Sequence, residues 1–72
     1  MKPTRELISL ISAGAHLDLR HAGKPTTDLI HIAEAAAAKG VTVIINGSKP
    51  TTDLVRIAAA GRGHVTIAWN AE

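Results

Sequence analysis

Lys49-Pro50-Thr51-Thr52-Asp53-Leu54 repeats Lys24-Pro25-Thr26-Thr27-Asp28-Leu29 without a change, and Lys2-Pro3-Thr4-Arg5-Glu6-Leu7 is a looser copy of both. Each copy precedes an aliphatic run with helical spacing, then a glycine, then a β-rich segment. The chain therefore reads as one domain of three internal repeats, about 2–23, 24–48 and 49–72.

In the first repeat Leu7, Ile8, Leu10 and Ile11 recur at three- and four-residue spacing, which predicts a helix. Thr4 is its expected N-cap, with Glu6 placed against the positive helix end. Gly14 can adopt the left-handed conformation that stops a helix. Ala15, Leu17 and Leu19 then alternate with His16, Asp18 and Arg20, the period of a strand with one buried face. In the second repeat Leu29, Ile32, Ala33, Ala36 and Ala37 form the helical stripe, and Gly40 ends it. Val41, Val43 and Ile45 alternate with Thr42, Ile44 and Asn46, and their β-branched content favours a strand. The third repeat carries Leu54, Ile57 and Ala58 before Gly61 and Gly63. Its strand places Val65, Ile67 and Trp69 on one face and Thr66, Ala68 and Asn70 on the other. Val65 follows Val41 by 24 positions while Lys49 follows Lys24 by 25, so the turn before the last strand is expected to be one residue shorter.

Each strand-to-strand connection is long enough for a parallel crossover and contains a helix. The predicted fold is α/β: three α-β repeats in helix-strand order, forming two layers, with a three-stranded parallel sheet and the helices on one face. A doubly wound sheet would bury both faces and read as continuous apolar runs. Here the second face carries His16, Asp18, Arg20, Thr42, Asn46, Thr66 and Asn70, with Ile44 and Ala68 as its apolar exceptions. The segments Val41-x-Val43-x-x-Asn46 and Val65-x-Ile67-x-x-Asn70 resemble the strand segment of leucine-rich repeats. Ala38 and Arg62 stand where that family has a leucine, Gly47 and Ala71 follow the asparagines, and Arg20 replaces the asparagine in the first repeat, so the family is not assigned.

Composition bounds the function. The 72 residues hold no cysteine, no Phe or Tyr and one Trp, which removes a disulfide framework and any cysteine-based metal site. No stretch has the ~20 apolar residues of a membrane span, and Arg5 and Glu6 interrupt any signal-peptide core. A cytoplasmic protein is the default expectation. The net charge of +2 is dispersed, and the open sheet face lacks aromatic stacking residues, so nucleic acid is disfavoured as a partner.

Two places carry the functional candidates. The junctions at Lys24, Thr26, Thr27 and at Lys49, Thr51, Thr52 belong at the carboxyl end of the sheet, where helix N-H groups and lysines suit an anion such as a phosphate. They lack the spacing of a phosphate-binding loop, and the proline removes an N-H such a loop uses. Helix capping explains the same residues: Pro sets φ, Thr caps and Asp opposes the dipole. Lys24, Lys49, Arg20 and His21 are expected at one end, with Lys39, Arg62 and His64 at the other. His16, His21, His31 and His64 show no metal-site spacing and are expected to be exposed. No serine has a nucleophile-elbow context, so no catalytic residue, cofactor or metal is expected.

The second place is the open face and the two sheet edges, where His16, Asp18, Arg20, Thr42, Ile44, Asn46, Thr66 and Ala68 form the expected interface. Unpaired edges and a thin core favour association with protein, a homodimer included. The expected function is a non-enzymatic repeat module with a structural or protein-interaction role. The alternatives are small-anion or nucleotide-phosphate binding at the Lys-Pro-Thr-Thr junctions, and an engineered or consensus-like repeat without evolved activity.

Overall fold

The computed structural model describes residues 2–69. Helices α1 (Thr4–Ser12), α2 (Thr26–Lys39) and α3 (Thr51–Gly61) alternate with strands β1 (Leu17–Asp18), β2 (Val43–Asn46) and β3 (Val65–Ala68). The strands form one parallel sheet in the order β1-β2-β3, and α2 packs against both α1 and α3. The expected three helix-strand units in two layers are therefore present. Burial follows the period of two along β2: Val43 and Ile45 are buried, while Ile44 and Asn46 are partly exposed. Ile11, Ile32, Ile57, Val43 and Ile45 are the largest fully buried side chains, so the core is a thin aliphatic layer between sheet and helices. Asn70, expected in the third strand, lies outside the described residues.

The helix starts differ from expectation. Pro3, Pro25 and Pro50 occupy the N-cap positions in extended backbone, and no helix has a side-chain cap bond. The proline carbonyls accept the first helical N-H groups, as Leu7 N donates to Pro3 O at 3.2 Å and Leu29 N to Pro25 O at 3.0 Å. Thr4 and Thr26 are thus the first helical residues, and their hydroxyls turn to the neighbouring repeat. Thr4 Oγ1 donates to Asp28 Oδ2 at 2.9 Å, and Thr26 Oγ1 donates to Asp53 Oδ2 at 3.1 Å. These two rungs tie α1 to α2 and α2 to α3 by the same pair of positions.

The helix ends and the strand register are coupled. Gly40 terminates α2 in the left-handed region, as expected, but α1 ends at Ala13 and α3 at Arg62, with Gly61 inside the helix and buried. Gly61 is there because Val65 crosses close above it: an added Cβ would collide with the Val65 Cγ2. Lys39 to Val43 and Gly61 to Val65 are equal in length, and the difference between the repeats lies in the helices, 14 residues for α2 and 11 for α3. The expected shorter turn is absent. Pairing follows the helix end, so Val43 meets Val65 and Ile45 meets Ile67, offset by 22 rather than the 24 of the sequence match. A slip of two residues keeps every side chain on its own face.

That register corrects the placement of Trp69. It lies past the last pair, Asn46 with Ala68, and no helix follows it among the described residues. The indole is 65% exposed and not part of the core. It lies against Gly47, whose N-H donates to Ala68 O at 2.9 Å, and a Cβ at Gly47 would collide with the ring.

Candidate functional site

At the carboxyl end of the sheet the turns after β1 and β2 converge on the start of α2. They enclose an open cleft of about 340 Å³ lined by Leu19, Arg20, His21, Gly23, Lys24, Leu29, Asn46, Ser48 and Lys49. Sheet order explains the convergence. Adjacent parallel strands carry their outgoing turns side by side, so Lys24 and Lys49, 25 positions apart in sequence, share one wall. Thr26, Thr27, Thr51 and Thr52 do not line this cleft. Thr26 is occupied by Asp53, while Thr27, Thr51 and Thr52 are exposed.

The cleft floor is held by polar bonds that sequence reading did not supply. Asn46 Nδ2 donates to Arg20 O at 3.1 Å, and Asn46 Oδ1 accepts from Ser48 N at 2.8 Å. The second bond is an Asx turn, for which Asn46-Gly47-Ser48 is the available signal. The first joins β2 to the turn after β1 and needs the strand neighbours to be known. Arg20 is engaged by Asp18: its Nη2 donates to Oδ2 at 2.7 Å, its Nε to Oδ1 at 3.2 Å and its backbone N to Oδ1 at 3.1 Å. These bonds hold the Asp18 carboxyl below the ordinary aspartate range and the Arg20 guanidinium above its own. With Arg20 neutralised in this way, Lys24 and Lys49 are the cleft's uncompensated cations among the described residues, none of whose carboxylates lines it.

The open face is arranged in cross-strand rows. Asp18 lies beside Ile44, which lies beside Thr66, and Asn46 lies beside Ala68. Arg20 reaches this end of the face through its carbonyl bond to Asn46. Ile44 is partly buried by its neighbours, and Thr66 is exposed. His16 stands at the opposite end, where its Nδ1 accepts from Thr42 N at 3.0 Å and completes the start of the β1-β2 ladder. His21 lines the cleft, and His31 is exposed on α2. Among the described residues no cluster of His, Asp and Glu could hold a metal ion. No helix among them is long and apolar enough to cross a membrane.

Fold and site together define an α/β repeat protein of parallel strands and stacked helices, with a cationic cleft at one end of its sheet. No known protein family matches the chain, and no curated protein or solved structure matches it.

Proposed function

We propose that this protein is a non-enzymatic repeat module whose role is contact with protein, self-association included, made through the ends of its repeat stack in a cytoplasmic setting. One observation supports it above the others: equivalent residues change from buried to exposed on the outer faces of the first and last helices described. Leu10, Ile32 and Ile57 each lie eight positions after the repeat's lysine, and they are 40%, 0% and 0% exposed. At the other end Val55 is 60% exposed, whereas its equivalents Ile8 and Ile30 are partly buried against the core. Apolar groups without a polar cap at the ends of a repeat array are surfaces for contact. A photo-crosslinker placed at residue 55 in cells making the protein should give protein adducts that the same group at the outward residue 56 does not. Equal labelling at both positions would remove this reading.

A second reading, small-anion or nucleotide-phosphate binding, is favoured by the convergence of Lys24 and Lys49 on a cleft that no carboxylate of the described residues lines. Inorganic pyrophosphate should then shift the backbone amide resonances of the two turns, and the Lys24→Ala, Lys49→Ala double variant should lose those shifts. Shifts that survive the double variant would place the anion elsewhere.

A further inference from the structure

We propose that copies of this chain stack head to tail, the α3-β3 end of one docking on the α1-β1 end of the next as each repeat docks on its successor. The inference rests on the reading of the stack ends as contact surfaces and commits it to one occupant, a second copy.

The junction between repeats is already formed twice within the chain, by fixed positions. The earlier helix offers a threonine and, four residues on, an aliphatic side chain: Thr4 with Ile8, then Thr26 with Ile30. The later helix offers a carboxylate and, four residues on, another aliphatic: Asp28 with Ile32, then Asp53 with Ile57. Residues four apart lie on one helix face, so each set is a coherent stripe. The threonine donates to the carboxylate at both junctions, at 2.9 and 3.1 Å.

Both halves of this junction recur on α3 and α1, unfilled among the described residues. On α3 the donor stripe is Thr51 with Val55, and the Thr51 hydroxyl, exposed at the first helical position, makes no side-chain hydrogen bond among the described residues. On α1 the acceptor stripe is Glu6 with Leu10. A shallow depression of about 200 Å³ lined by Lys2, Glu6, Ser9 and Leu10 lies there, able to seat Val55 of another copy. Among the described residues the Glu6 carboxylate is held by an exposed 3.8 Å ion pair to Lys2.

The sheet supplies the same directionality. Leu17 N and Leu19 N donate to Thr42 O and Ile44 O, and Val43 N donates to His64 O. The N-H groups of core-facing residues therefore always point to the next strand. On β3 those of Val65 and Ile67 point to the free edge. On β1 the carbonyls of His16 and Asp18 face the other free edge, the acceptors that Thr42 and Ile44 provide within the chain. Asp18 already binds Arg20 N, so pairing there is short. Donor end and acceptor end are different surfaces, which makes the contact heterologous and open-ended.

Sedimentation equilibrium on the purified chain tests this. Average mass should rise with concentration beyond two copies of the 7.5 kDa chain. Leu10→Glu or Val55→Glu alone should weaken association by about a hundredfold, since a contact that buries an unpaired carboxylate loses that much. Both residues are exposed, so neither change enters the core. An equimolar mixture of the two variants should form dimers and stop there, because each retains the end the other has lost. A misfolded variant would not show that rescue. A wild-type chain monomeric throughout, a dimer that grows no further, or association abolished by Ile44→Lys and untouched by the end variants would overturn the proposal. Adducts from residue 55 with masses that are not multiples of the chain would leave protein contact standing and remove self-stacking.

Discussion

Arg62 ends α3 at φ 47, the one non-glycine residue with positive φ among those described. A side chain there carries a steric cost that glycine avoids, so Arg62→Gly should raise stability by about 1 kcal/mol, read from urea unfolding. The neighbouring glycine cannot be filled so freely, because Gly61→Ala drives a Cβ into Val65 and should cost about 1 to 3 kcal/mol. Asp18 makes a pH prediction. Its carboxyl is held low in the folded chain by Arg20, so its contribution to stability is present above the unfolded aspartate value and disappears as pH falls through the folded one. An NMR titration should find Asp18 below the ordinary aspartate range, and Arg20→Gln should raise it only part of the way back, because the backbone N-H of residue 20 still donates to the carboxylate. The spacing Asp18-x-Arg20 was visible in the sequence as two residues on one strand face. That they bind each other follows from the turn after β1, where the backbone of Arg20 folds back onto the same carboxylate.

Among the elements, the threonine rungs separate internal junctions from the ends. Thr26→Val removes the donor to a partly buried Asp53 and should cost about 1 kcal/mol in urea unfolding. Thr51→Val, at the equivalent position with no following helix among the described residues, should change the stability of the dilute monomer by less than about 0.5 kcal/mol while weakening self-association. Lys-Pro-Thr-Thr-Asp read as a local capping signal because its residues are all good at helix N-termini. Its threonine serves a helix more than 20 positions away, a use that depends on α1, α2 and α3 lying side by side. His16 has the same history. Its exposure was legible from the alternation, but its bond to Thr42 N requires β1 to neighbour β2.

For the whole molecule, a core of this size is worth only ~3 to 5 kcal/mol. Ile32 is fully buried between sheet and helices, and Ile32→Ala should cost about 2 to 5 kcal/mol, enough to leave much of the chain unfolded by circular dichroism at room temperature. Stacking would offset that thinness by mass action, so the melting temperature should rise with protein concentration and cease to do so in Val55→Glu. A flat melting temperature in the wild type would speak against coupling of assembly to folding.

The sequence by itself determined the three helix-strand units, the alternation of buried and open faces along β2, the parallel sheet and the gathering of Lys24, Lys49, Arg20 and His21 at one end. Periodicity and the repeated Lys-Pro-Thr-Thr-Asp carry that information locally, since it depends only on neighbours a few residues away. The tertiary structure decided the rest: the β2-β3 register, the exposure of Trp69, the rungs between helices and the apolar ends of the stack. Register followed the length of α3 rather than the match between strands, because a helix that stops three residues sooner delivers its chain to the sheet at a different level. Leu10 and Ile32 look alike in sequence, and only the presence of a preceding helix buries one and exposes the other.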